Sequence, residues 1–208
     1  MQASENRAMT SAGTPPELVR AAFRELHGTR LHGFALLVTL GDRARAARLA
    51  GEALSAGSMR TSELRHPERA AAWLRRRVTR NAERTGRRSR SRSAAEDRLA
   101  LEELGADAAA FEGLAALTTR ERAALVADSI ERLDRGDVAT IVDIDGARLD
   151  RLIRDVRGRY TASVADGLDD ASARSGPTTL RIQAIAARAL SLLAAPSSTT
   201  DSPIGSRP

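Results

Sequence analysis

LTTRERAALVADSIERLDRGDVATIVDIDGARLDRLIRDVRGRY, residues 117–160, is the stretch that decides the fold of this chain. After Thr119, the residues Ala123, Val126, Ile130 and Leu133 recur every three or four positions, as one apolar face of a helix requires. A short second helix carries Val138, Ala139, Ile141 and Val142. Beyond the break at Asp143-Ile144-Asp145, a third helix is marked by Leu149, Leu152, Ile153, Val156 and Tyr160, at i, i+3, i+4, i+7 and i+11. Asp145 is placed to cap it. Short helix, tight turn, longer helix is the outline of a helix-turn-helix. Any three-helix bundle gives the same outline, so the pattern predicts a fold and not a ligand.

Towards the N-terminus, Thr14-Pro15-Pro16-Glu17 has capping-box spacing, with prolines suited to a first helical turn. Val19, Phe23, Leu26, Leu31, Phe34 and Val38 supply the apolar face of a helix in which Gly28 and Gly33 mark a bend. Gly41-Asp42 breaks the pattern, and Ala46, Leu49, Ala50, Ala53 and Leu54 form the face of a second helix. Residues 55–67 read as a loop, and a third helix runs from Pro67 through Trp73, Leu74 and Val78 to about Ala82. These three can bury one another as a small bundle, with Trp73 in its core. Residues 85–95 are polar, low in complexity and basic, as in a linker, and residues 96–104 are weakly helical. After Tyr160 the chain is Ser/Asp/Gly-rich except for one amphipathic segment, residues 179–195, with Leu180, Ile182, Ile185, Ala189, Leu192 and Leu193. The expectation is an all-α protein with two small helical domains, 14–84 and 107–160. A basic, flexible linker, 85–106, joins them, and a partly disordered tail, 161–208, follows.

Composition agrees. Aromatic residues are 2% of the 208, so the cores must be built from Leu, Val, Ile and Ala, in a chain whose abundant Ala, Leu, Arg and Glu favour helix. The absence of cysteine excludes disulfides, thiolate metal sites and a thiol nucleophile. His27, His32 and His66 have no metal-ligand spacing. No apolar run is long enough for a membrane span, and residues 1–12 lack the apolar centre of a signal peptide, so a cytoplasmic location without membrane attachment is expected. No nucleophile–base pair, phosphate-cradling glycine loop or metal-ligand pattern is present; neither enzymatic activity nor a cofactor is expected.

The net charge is +6, and all 33 basic residues are arginine. Residues 75–92 hold nine arginines against the single Glu83, which leaves the rest of the chain slightly acidic. A basic footprint confined to one segment suits contact with a polyanion; a solvated arginine run is the competing reading.

Leu117-Thr118-Thr119-Arg120-Glu121-Arg122-Ala123-Ala124-Leu125-Val126 resembles the L-P-x-R-E-R-x-x-L-V that opens the last domain of extracytoplasmic-function (ECF) sigma factors. Residues 133–157 align without gaps to the family's next segment, matching at Leu133, Val138, Ala139, Ile141, Val142, Ile144, Leu149, Ile153 and Arg157. Leu31-His32-Gly33-Phe34-Ala35, Gly41-Asp42, Trp73-Leu74 and Val78-Thr79-Arg80-Asn81 are similar to motifs of its first domain. The resemblance spans residues 18–160. It implies that the first domain binds the RNA polymerase core and melts one promoter element, while the last helix of the second enters the major groove of an element further upstream. Arg76, Arg77, Arg80 and Asn81 then fall at the promoter-contacting end of the first domain, and Arg148, Arg151, Arg154 and Arg157 on the recognition helix. Polymerase contact falls at Arg48 and Glu52, and an anti-sigma or other regulatory protein is a further partner the family brings.

The chain departs from the family at these places. Arg48 replaces a carboxylate and Gly51 a glutamine in the polymerase-binding segment, so only Glu52 of its polar contacts is kept. Asp150 stands for a lysine, Leu152 for a DNA-facing arginine and Asp143 for the turn glycine. Asp145, Asp150 and Asp155 nearly neutralise the recognition-helix arginines, and a solvated, salt-bridged face is the alternative reading of that helix. Three functions stay open: a divergent ECF-type sigma factor that directs RNA polymerase; a helix-turn-helix regulator without polymerase binding, since residues 117–121 also resemble the opening of the LuxR-type motif; and a sigma-like protein-interaction module.

Overall fold

Helix α1 (Pro16–Val38) begins at a proline, whose missing N–H costs nothing in a first turn. The helix runs unbroken through Gly28 and Gly33. Leu40 and Gly41 then take left-handed backbone angles, φ 57° and 88°. Gly41 is irreplaceable there for a second reason: a Cβ would lie 1.9 Å from the carbonyl oxygen of Asp97. Helix α2 (Arg43–Ser58) is capped by Asp42, which accepts from the Arg45 N–H at 2.9 Å. Helix α3 (Pro67–Thr85) follows the loop. The computed structural model describes residues 16–85 and 94–166, and every regular element among them is helical. Thr14 and the amphipathic segment 179–195 lie outside the described residues, as do the linker arginines Arg87, Arg88, Arg90 and Arg92.

The described part of the expected linker folds. Helix α4 (Ala94–Glu102) and the turn after it send Ala100, Leu101, Leu104 and Ala106 inward. Helix α5 (Ala108–Ala115), absent from the sequence expectation, is capped by Asp107. Helix α6 (Thr119–Leu125) passes into a π-helical turn, Val126–Ile130, before helix α7 (Arg135–Val142) and helix α8 (Gly146–Asp166). Helix α8 continues past Tyr160 and buries Val164 against α5. That contact needs Gly113, where a Cβ would meet Val164 and Tyr160 side-chain carbons at 2.7–2.9 Å.

Helices α1, α2 and α3 pack on one another as the apolar faces require, but the bundle does not end there. Helix α3 lies against α7, and α1 against α6. Phe34, Leu49 and Leu74 of the first half and Leu125, Ile141, Ile153 and Tyr160 of the second belong to one continuous buried cluster. None of the described helices is long and apolar enough to cross a membrane.

Candidate nucleic-acid interface

The seam between the halves positions everything near it. Arg75, on the inner side of α3, donates through Nε and Nη2 to both oxygens of Glu131, each at 2.5 Å. It also donates to the Ala71 carbonyl at 3.1 Å and lies over the Phe34 ring at 5.6 Å. The side chains of this ion pair are only 5% and 16% exposed. Arg122 of α6 donates to the carbonyls of Val38 at 2.8 Å, Leu117 at 2.5 Å and Leu114 at 3.3 Å. A guanidinium against the Val38 carbonyl, at the C-terminal end of α1, meets an acceptor that lacks a helical partner. Burial, with some help from Arg45, lowers the Arg122 pKa to about 10, so it remains a cation at neutral pH. Arg120 grips Glu83 of α3 at 2.9 and 3.1 Å.

The motif that carries the family resemblance is therefore occupied with folding. Thr118 and Glu121 form a reciprocal capping box at the start of α6, and Glu121 also takes a hydrogen bond from Arg159 of α8. Burial pushes the Glu121 carboxyl up, but the hydrogen bonds from Arg159 and Thr118 outweigh it and hold the pKa below its ordinary value.

The π turn aims two carboxylates in useful directions. One is Glu131, just beyond it, towards Arg75. The other is Asp128, which accepts from Arg157 of α8 at 2.6 Å and Arg135 of α7 at 3.1 Å. Arg135 reaches Asp150 as well, at 3.1 Å. Asp143 ends α7 in the left-handed region, φ 58°, ψ 50°, thus performing the turn otherwise suited to glycine. Asp145 caps α8, accepting from the Arg148 N–H at 3.0 Å.

The candidate residues of α3 sit on its outer side. Arg76 reaches across to Asp143 at 2.5 Å. Arg77 lies over the half-buried Trp73 ring at 5.6 Å, with Arg60 from the α2–α3 loop on the same ring at 5.9 Å. Arg77, Arg80 and Arg84 are exposed, and none has an ion pair among the described residues. A shallow groove is lined by Trp73, Arg76, Arg77, Arg80, Asn81 and Arg84. A second hollow adjoins it, lined by Arg76 together with Thr140, Asp143, Asp145 and Arg148. Arg76 is common to both.

On α8, Arg148 is 81% exposed with only a 3.5 Å contact to Asp145. Arg151 and Arg154 are exposed and have no ion pair among the described residues. Arg157 is engaged by Asp128, and Leu152 packs against the core, as its place in the apolar stripe predicts. The structure thus brings Arg76 of α3 beside Arg148 of α8, two residues the sequence placed in separate domains, while Arg77, Arg80 and Asn81 line the adjoining groove. Arg48 and Glu52 lie elsewhere, on α2, paired with each other at 2.8 Å and exposed. The sequence counted Arg84 in the basic segment without singling it out, though its i, i+4 spacing from Arg80 could have done so, and missed Arg60, for which a loop position gave no signal. Arrays of this kind suit phosphate oxygens, and unpaired arginines on an exposed helix face also suit guanine edges.

No protein-family model, curated protein or solved structure matches this chain significantly.

Proposed function

We propose that this protein is a divergent ECF-type sigma factor that binds promoter DNA and directs RNA polymerase in transcription initiation. The observation that carries the DNA-binding part is that the arginine-lined groove of α3 and the hollow that holds Arg148 meet at Arg76, where the outer side of α3 adjoins the α7–α8 turn. The resemblance over residues 18–160 supports the assignment to transcription initiation. The roles are divided accordingly: Arg77, Arg80 and Arg84 contact phosphates, while Arg148, Arg151 and Arg154 face the groove from α8. Purified protein added to core polymerase should yield a transcript with a defined start on a promoter of the source genome. Absence of any such transcript across a genomic promoter library would remove the polymerase role.

One observation favours a second reading, a DNA-binding regulator that works without core polymerase. Glu52, the carboxylate that the resemblance assigns to polymerase contact, is engaged by Arg48 one helical turn away. An arginine where the partner surface expects a carboxylate puts the wrong charge into an interface, which can cost several kcal/mol. A pull-down of core polymerase separates the two readings. Retention by the wild type supports the sigma role; retention only by Arg48→Asp, with DNA binding intact, supports the second.

A further inference from the structure

We infer that α3 and the α7–α8 turn grip one contiguous stretch of duplex DNA, about one helical turn long, and not two separated elements. This rests on the DNA-binding part of the reading above, which the sigma factor and the polymerase-independent regulator share, and deepens that part alone. The family resemblance implies the opposite, one DNA element per half.

Three features carry the inference. The first is adjacency: Arg76 lines both the α3 groove and the hollow that holds Arg148, and its ion pair with Asp143 fastens the outer side of α3 to the turn ahead of α8. A duplex lying against Arg76 is therefore already at Arg148. The second is rigidity. Moving the halves onto distant sites would strand the Arg75 and Glu131 charges, pull Arg122 from the Val38 carbonyl and open a continuous apolar core. The third is size. Arg77 to Arg84 spans seven residues, about 10 Å along a helix, and a compact body of the size of residues 16–85 and 94–166 together has a radius of gyration of about 15 Å. Such a body matches one turn of B-form DNA, roughly 34 Å.

The charge pattern fits the same arrangement. Arg77, Arg80 and Arg84 on α3 and Arg151 and Arg154 on α8 have no ion pairs to give up among the described residues. The nearby carboxylates Asp143 and Asp150 are held by Arg76 and Arg135, and Asp145 sits beside Arg148. Phosphates on one strand can thus meet α3 while the first turns of α8 enter the adjoining major groove, which is wide enough for a helix.

The test uses the full chain without polymerase. Duplexes selected from a random pool are footprinted with hydroxyl radicals, and affinity is measured by fluorescence anisotropy as the selected duplex is shortened. One continuous protected patch of about a turn is expected, with full affinity retained in a duplex of about 15 base pairs. Arg80→Ala and Arg148→Ala should each weaken binding about tenfold and each lower the salt slope by about one. Both residues are exposed, so circular dichroism should be unchanged. Two patches separated by an unprotected turn, affinity that needs a much longer duplex, or no effect of Arg148→Ala would each overturn the single-site inference and leave DNA binding standing. Failure to select any duplex with salt-sensitive affinity would overturn the DNA-binding reading as well.

Discussion

Arg75, Arg76 and Arg77 are consecutive, yet their guanidiniums meet three different fates: one is buried on Glu131, one reaches over to Asp143, and one lies exposed on Trp73. Charge counting treats them alike; helical phase does not. Arg75 shares a face with Val78, Thr79 and Ala82, all buried, so its inward position was legible from spacing. Its partner was not, because Glu131 follows a turn whose geometry the sequence does not announce. Removing one member of a buried ion pair strands the other charge, so Arg75→Ala should destabilise the protein by about 3–5 kcal/mol. Replacing both, Arg75→Met with Glu131→Leu, should recover most of that loss; urea unfolding of the four members of the cycle measures the coupling. His27 offers a second check at this scale. Burial, then the charges of Arg75 and Arg30, holds its pKa below the ordinary 6.5. Protonation therefore favours the unfolded chain. The stability from neutral His27 is fully present above about pH 6.5 and declines as pH falls towards the lower folded-state value. Melting temperature should drop between pH 7 and 5.5, and His27→Gln should flatten that decline. Part of the slope should persist, because burial and Arg43 lower His32 in the same direction.

At the scale of elements, the apolar periodicity of residues 149–160 anticipated α8 and its cap, and that of residues 67–82 anticipated most of α3. Two features escaped it. Helix α5 has the sequence AAAFEGLA, too short and too uniformly small to display a face. The π turn is hidden for a different reason: Ala123, Val126, Ile130 and Leu133 keep an average spacing that also fits an uninterrupted α-helix, so one extra residue in a turn leaves no trace. Two glycines carry opposite expectations, Gly113 at the α5–α8 contact and Gly158 on the exposed side of α8. Gly113→Ala forces a methyl into Val164 and Tyr160 and should cost about 1–3 kcal/mol, the usual range for overpacking. Gly158→Ala, in α8 and with nothing within 4 Å of the added carbon, should instead stabilise by about 1 kcal/mol through helix propensity. Thermal denaturation of the two variants checks the sign of each.

For the molecule as a whole, the sequence pointed to two domains because the low-complexity run at residues 85–95 has the composition of a linker. Composition could not reveal that the halves on either side close over a common core. The closing contacts are made partly by arginines, Arg75, Arg120 and Arg122, which count as surface residues in any hydrophobic pattern. Two of them act on a carboxylate, and the third on backbone carbonyls at helix ends. Contacts of this kind couple the halves thermodynamically: neither can unfold without exposing Leu74 or Val138 and leaving a buried charge without its partner. The chain has one tryptophan, Trp73, in α3, and one tyrosine, Tyr160, in α8, so each half contains its own reporter. Trp73 fluorescence and Tyr160 near-ultraviolet absorbance should change at the same urea concentration, with the same slope. Separate midpoints would mean that the halves are independent domains, and the rigid contact between α3 and the α7–α8 turn would lose its basis. In Arg122→Ala, which deletes the donor to Val38, both signals should move to lower urea together, since the loss is felt by one cooperative unit.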